Sequence, residues 1–164
     1  MGLMKKILSL LIVPLTLASC STLGIPNADV SGNINGIQPS GKIRLAFQGM
    51  TVTGYQAPVA DQINIPTFNP EKRAYAVSLP ESPANGAYEL LAYVDANGNN
   101  RYDSADNEVR TGSTGKAFIY SKEGTGSKSG TDLMNLKPGW TLYSLNEVKV
   151  EKSGAPFTNY ILNW

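Results

Sequence analysis

Apolar side chains recur at every second position through much of the chain, and this alternation constrains the fold more than any other feature. Ile43, Leu45 and Phe47 show the pattern, with charged or small residues between them. A period of two is typical of a β-strand with one buried face, whereas a helix repeats about every 3.6 residues. Alternation and apolar runs between turn signals predict about eight strands, at 29–37, 42–47, 61–65, 74–79, 88–94, 116–121, 141–149 and 157–164.

Turn-forming residues separate the predicted strands. The chain contains 16 glycines and 10 prolines, some of them in clusters such as 153–156 between two predicted strands. That supply suits many short strands and leaves little room for long helices. The spacing of strand–helix–strand units is absent from the sequence. We therefore predict an all-β fold, an antiparallel β-sandwich in preference to a small barrel.

The first twenty residues carry a separate signal. Lys5 and Lys6 precede an apolar stretch at 7–17, and the tetrad Leu17-Ala18-Ser19-Cys20 ends on the only cysteine of the chain. A basic start, an apolar segment of about a dozen residues and small residues at the cleavage position are typical of a secretory signal peptide, which is too short to span a membrane. An ordinary signal peptide with a chance cysteine is the alternative interpretation.

The tetrad resembles the lipobox of bacterial lipoproteins. The resemblance implies cleavage before Cys20, acylation of its thiol and anchoring of the mature chain in a membrane of the bacterial cell envelope. By the same resemblance, Ser21 in place of an aspartate favours the outer membrane if the bacterium is diderm. We therefore expect a signal peptide at 1–19, a lipidated tether at 20–27 and a β-sandwich domain at 28–164.

Composition excludes several classes of function. Removal of 1–19 takes away two lysines and leaves 12 basic and 13 acidic side chains, a balance that argues against a nucleic-acid partner. The chain has no histidine, so Ser-His-Asp and Cys-His catalytic arrangements and the usual zinc sites cannot be built. A small two-carboxylate hydrolase is the weakest of the alternatives. We expect a protein that is not an enzyme.

The segment 95–106 has the spacing of a twelve-residue calcium loop. Its predicted ligands are the side chains of Asp95, Asn97, Asn99, Asp103 and Asp106 and the carbonyl oxygen of Arg101. Calcium takes six to eight hard oxygens, which such a loop aims inward. Asn100 stands where glycine usually makes the sharp turn, and asparagine tolerates the positive φ that the turn requires. Only three carboxylates contribute, with Glu108 in reserve, so we expect a structural Ca²⁺ with a Kd on the order of 0.1–1 mM.

The same twelve residues resemble the loops of dockerins and of the calcium-binding B-type repeats of bacterial surface adhesins. In the adhesin repeats the loop follows a β-strand, and here the alternating segment 88–94 precedes it. The resemblance implies a sandwich of immunoglobulin-like or transthyretin-like type. An Asn/Gly-rich surface turn that only mimics the spacing is the alternative.

These features predict a lipid-anchored, non-catalytic interaction or structural module of the cell envelope. Its expected partners are the membrane, through the lipid, and an envelope protein or polysaccharide. The alternative is a lipoprotein that binds carbohydrate or another small ligand on an exposed aromatic face, although core packing is the commoner role of aromatic residues. The aromatic residues available to such a face are Tyr93, Tyr102, Tyr120, Trp140, Tyr143, Tyr160 and Trp164.

Overall fold

A computed structural model describes residues 28–55, 61–66, 73–106, 108–125 and 134–164. In these ranges the chain forms strands and one short 3-10 helix, Ser104–Asp106. The strands are β1 Val30–Asn35, β2 Ile43–Met50, β3 Ile63–Asn64, β4 Ala74–Val77, β5 Gly86–Val94, β6 Lys116–Ser121, β7 Gly139–Ser144, β8 Lys149–Ser153 and β9 Leu162–Asn163. Among the residues that the structure describes, no helix is long and apolar enough to cross a membrane.

The strands form two sheets, which confirms the predicted all-β sandwich. One sheet has three strands in the order β4-β1-β9, and the other has six in the order β3-β2-β5-β6-β7-β8. Neighbouring strands are antiparallel except β1 and β9, which are parallel. The parallel pair departs from the expected antiparallel pattern and joins the first and last of the described strands.

The main core lies between the two sheets and follows from the alternation in the sequence. The alternating residues Ile43, Leu45 and Phe47 of β2 all point into it. Aromatic rings fill its centre, where Phe118 packs edge-on against Phe47 and Phe157. Burial of these apolar side chains is the main source of the stability of the sandwich.

The second face of the six-stranded sheet is also covered, which the sequence did not indicate. Every residue of β5 is buried, although the alternation at 88–94 predicts one exposed face. Ala87 packs in a second cluster with Val52, Tyr55, Met134 and Leu136, which lie outside the strands. Connections between strands therefore act as a third layer over β5.

Lys116–Ser121 has the predicted limits, but the strands predicted at 61–65 and 157–164 are only two residues long, Ile63–Asn64 and Leu162–Asn163. The single strand predicted at 141–149 is wrong: β7 ends at Ser144, a tight turn covers 145–148, and β8 begins at Lys149. Val148 in that turn has a φ of 52°, rare for a β-branched residue, and so gives no turn signal. Asn85 ends the connection from β4 in one sheet to β5 in the other, and Gly86 is the first residue of β5.

The sandwich has two distinct ends. At one end β1 begins, and Oδ2 of Asp29 accepts a hydrogen bond from the amide of Leu79. At the other end Ile43 of β2 pairs with Val94 of β5, and the amide of Asp95 donates to the carbonyl of Lys42. We call these the N-terminal end and the loop end. The 95–106 loop thus lies opposite the point at which the described chain begins.

Candidate functional site

Asp95, the first predicted ligand, is a buried carboxylate at the end of β5. Its side chain has no exposed area, and its Oδ2 accepts a hydrogen bond from Nε of Arg44 in β2. Its Oδ1 accepts the amide N–H of Asn100 at 3.3 Å. Burial alone raises the pKa of Asp95, but the hydrogen bonds from Arg44 and Asn100 outweigh it and hold the pKa below its usual value. Asp95 is therefore ionised and ties the loop to the sheet.

Two side-chain turns shape the tip of the loop. Oδ1 of Asn97 accepts the amide of Asn99 at 2.9 Å, and Oδ1 of Asn99 accepts the amide of Arg101 at 2.7 Å. Gly98 and Asn100 have φ values of 76° and 64°. The positive φ predicted for Asn100 is confirmed, and the amide groups of the tip turn toward the side chains of the predicted ligands.

Asp103 and Asn99 approach each other across the loop. Nδ2 of Asn99 donates to Oδ2 of Asp103 at 2.6 Å. Arg101 lies exposed between them, and its guanidinium contacts Asp61, 3.2 Å away, on the chain just before β3. Asp106 ends the 3-10 helix, and its side chain lies outside the described part of the structure.

Glu108 closes the loop, a role that the sequence did not assign to it. One of its carboxylate oxygens accepts the amide of Ala96, and the other accepts the amide of Asp103, both at 3.0 Å. The residue is 7% exposed. Its carboxylate therefore joins the first and last turns of the loop. The only sequence signal was an acidic residue shortly beyond the twelfth position.

A second layer of side chains supports the loop from outside. Oε1 of Gln62 accepts the amide of Tyr102 at 3.1 Å. The ring of Tyr102 packs edge-on against Tyr93. The guanidinium carbon of Arg110 lies over the Tyr102 ring, 5.7 Å from its centroid. Burial, followed by the charge of Asp95, raises the pKa of Tyr93 to about 12, so its hydroxyl stays neutral at physiological pH.

The loop supplies hard oxygens, but hydrogen bonds already use several of them. Carboxylate and amide oxygens are the ligands that calcium prefers, and each has a second lone pair beyond the hydrogen bond described. Among the side chains that the structure places, no three acidic residues lie close enough together to hold a metal ion. Ion binding would therefore require Asp95, Asp103 and the loop tip to draw together.

The predicted aromatic face is not formed by the seven aromatic residues proposed for it. Tyr93, Tyr120, Tyr143 and Tyr160 are buried, and Tyr102, Trp140 and Trp164 are half-buried. Trp140 packs against Phe47, Tyr88 and Tyr120 in the core. In the described part of the chain, these seven rings therefore contribute to packing and do not form an exposed aromatic face.

Cys20 and the rest of 1–27 lie outside the described residues, so the structure does not test the signal peptide, the acylation site or the tether. Comparisons with protein-family models, with curated proteins and with solved structures gave no match to the chain.

Proposed function

We propose that the chain is a lipid-anchored protein of the bacterial cell envelope with a non-catalytic interaction or structural role. The tetrad Leu17-Ala18-Ser19-Cys20 supports acylation at Cys20. The first strand begins at Val30, so residues 20–27 are available as a tether between lipid and domain. The partners are the membrane and, beyond it, an envelope protein or polysaccharide.

The anchor is tested with the Cys20→Ser substitution. The wild-type chain should enter the detergent phase and the membrane fraction, because two or more acyl chains give stable anchoring. The variant should leave that fraction as a soluble protein or accumulate as an uncleaved precursor. Metabolic labelling with a radioactive fatty acid should mark the wild type and not the variant. Unchanged partitioning of the variant would disprove the anchor.

We further propose that the 95–106 loop binds a structural Ca²⁺ with the weak affinity of an extracellular module. The observation that carries this proposal is the contact between Oδ1 of the buried Asp95 and the amide at the sixth loop position, Asn100. This hydrogen bond folds the loop tip, which carries Asn97 and Asn99, back toward the carboxylate of Asp95. The ion would draw in Asp103 and add to the closure that Glu108 makes by hydrogen bonds.

Calcium binding is tested by thermal unfolding of the full chain with and without the ion. Millimolar Ca²⁺ should raise the Tm of the wild type by a few degrees, since ligation near a Kd of about 0.1 mM contributes ~1–2 kcal/mol. Asp103→Asn removes the negative charge of one of only three proposed carboxylate ligands, at a side chain that is only partly buried, and should abolish most of that rise.

Asp61→Asn is the matched control. Asp61 is an acidic residue beside the loop whose side chain is 91% exposed and which contacts only Arg101 among the described ion pairs. Its calcium response should equal that of the wild type. Equal loss in both variants would point to nonspecific charge screening. The absence of any Tm rise in the wild type would make the loop an ordinary Asn/Gly-rich turn.

A further inference from the structure

We propose that a groove between β3 and β4, the edge strands of the two sheets in the described residues, binds a single acyl chain. β3 ends the six-stranded sheet and β4 ends the three-stranded sheet. Between them lies a cavity of about 470 Å³, within the range of small-ligand pockets, which is roughly 300–1,000 Å³. Phe47, whose ring is part of the core, contributes to its lining.

The walls of the groove suit a hydrocarbon chain. Their apolar members are Phe47, Ile65, Pro66, Ala76, Val77, Leu79 and Pro80. The polar side chains that line it are Asn64 and Ser78, both exposed, and among the described residues no charged side chain is part of the lining. An apolar cleft with a few uncharged polar groups on exposed positions favours an elongated apolar ligand whose head group stays in water.

The edges that border the groove disfavour a peptide strand as its occupant. A peptide adds to a sheet edge through a continuous row of main-chain hydrogen bonds. β3 has only two residues and is followed by Pro66, and Pro80 stands on the chain beyond β4. Prolines donate no main-chain hydrogen bond and protect such edges from pairing. An acyl chain needs no such ladder.

The position of the groove brings it to the membrane side of the domain. Two hydrogen bonds join the wall of the groove to Asp29, just before β1. The amide of Asp29 donates to the carbonyl oxygen of Val77 at 3.0 Å, and its Oδ2 accepts the amide of Leu79 at 2.8 Å. Residues 20–27 span at most about 29 Å when extended. The membrane-side position rests on the proposed anchor at Cys20. With that anchor, the lipids of the same membrane would supply the acyl chain that occupies the groove.

Trp140 provides a reporter beside the groove. Its indole N–H donates to the carbonyl of Pro80 at 3.0 Å, and its ring lies 6.0 Å from that of Phe47, so it touches two groove residues. Trp164, the other tryptophan, is bonded to Asn35 at the loop end. Trp164→Phe leaves Trp140 as the single source of indole fluorescence.

The experiment uses the full chain carrying Cys20→Ser and Trp164→Phe, titrated with a dibrominated stearate below the concentration at which that probe forms micelles. Bromine quenches an indole only at short range, so binding in the groove should give saturable quenching of Trp140. Unbrominated palmitate should reverse it. Quenching that never saturates, or none at all, would overturn the proposal.

Two isoleucines of the same edge give a matched pair of variants. Ile63 and Ile65 are both half-buried and both pack against the core, but only Ile65 lines the groove. Ile65→Glu places a carboxylate in the path of the chain and should weaken probe binding about tenfold or more, whereas Ile63→Glu should bind as the parent does. Equal binding by both variants would show that the groove is not the site.

Ser78→Tyr tests the same site without disturbing the core, because Ser78 is exposed. The tyrosine ring should occupy part of the groove and lower the affinity even if Ile65→Glu fails to fold. Binding of an apolar hexapeptide in place of the stearate would overturn the acyl-chain assignment. The assay chain carries Cys20→Ser and has no acyl anchor, so the quenching result does not depend on the proposed acylation of Cys20. If that acylation were disproved, only the membrane would be lost as the source of the bound acyl chain.

Discussion

The aromatic core and the 95–106 loop are both parts of one sandwich, but different forces hold them. In the core, the ring of Phe118 lies 5.4 Å from Phe157 and 4.9 Å from Tyr160, with no exposed area. In the loop, residues 96–101 are exposed, and the carboxylates of Asp95 and Glu108 hold the chain. Apolar packing responds little to pH and salt, whereas carboxylate contacts respond to both. The two regions should therefore be separable by substitution.

The largest effect is expected in the core. Phe118→Ala should lower the free energy of unfolding by about 3–5 kcal/mol, because it removes a buried ring and leaves a cavity. Urea unfolding followed by far-UV circular dichroism measures this. Val109→Ala is the control in the loop region, since Val109 is 54% exposed, and should change stability by less than about 0.5 kcal/mol. A loss below ~1 kcal/mol for Phe118→Ala would contradict the central position of that ring.

A smaller effect is expected at the charged anchor of the loop. Asp95→Ala should lower the free energy of unfolding by about 2–3 kcal/mol, because it leaves the guanidinium of Arg44 and the amide of Asn100 without their hydrogen-bond acceptor. The figure lies below that of a fully buried pair because the Arg44 side chain is 20% exposed. A double-mutant cycle with Arg44→Met measures the coupling. Additive losses would show that the two side chains do not act together.

Acid should weaken the loop before the core. The pKa of Asp95 is lower in the folded protein than its ordinary value, so its ionised form stabilises the fold. That contribution is complete above the unfolded pKa, about 3.9, and is lost as the pH falls through the lower folded pKa. The difference in unfolding free energy between the wild type and Asp95→Asn should therefore shrink below pH ~4. A free-energy difference that stays constant from neutral pH to pH ~2 would show that ionisation of Asp95 does not contribute to the stability of the fold.

The smallest effect is expected at the outer rim of the loop. Asp61→Asn removes the exposed contact with Arg101 and should change the unfolding free energy by less than about 0.5 kcal/mol. Chemical denaturation in low and high salt measures it, and the small difference should vanish in high salt. A loss above ~1 kcal/mol would mean that the rim supports the loop as strongly as Asp95 does.

Local patterns in the sequence predict the strands well because alternation is a local property. The β6 limits follow from 116–121, and the core positions of β2 follow from Ile43, Leu45 and Phe47. The full burial of β5 could not be predicted, because residues distant in sequence cover its second face. Val52 and Leu136 cluster with Ala87, and Tyr102 packs against the cluster of Leu91 and Tyr93. The turn at 145–148 was missed because its one turn-forming residue, Asn146, stands in an otherwise strand-like run, and the positive φ falls on the β-branched Val148.

The candidate site was predicted only in part for the same reason. The spacing from Asp95 to Asp106 gave the loop and the turn at Asn100, but not its closure by Glu108 or its tie to Arg44, which is distant in sequence. The groove was not predicted, since it arises where β3 and β4 end two different sheets. Sites built from one segment can be found in a sequence, whereas sites built from edges of separate sheets need the fold.

The parallel pairing of β1 and β9 also sets the order in which the molecule can be completed. β1 is among the first parts of the domain to leave a ribosome or a translocation channel, yet its partner Leu162 lies near the other end of the described chain. The six-stranded sheet can assemble once β8 has emerged, while one side of β1 still lacks its neighbour. Long-range closure of this kind is slow and leaves an open strand edge in the meantime. The newly made chain therefore has a vulnerable interval that ends only when β9 docks.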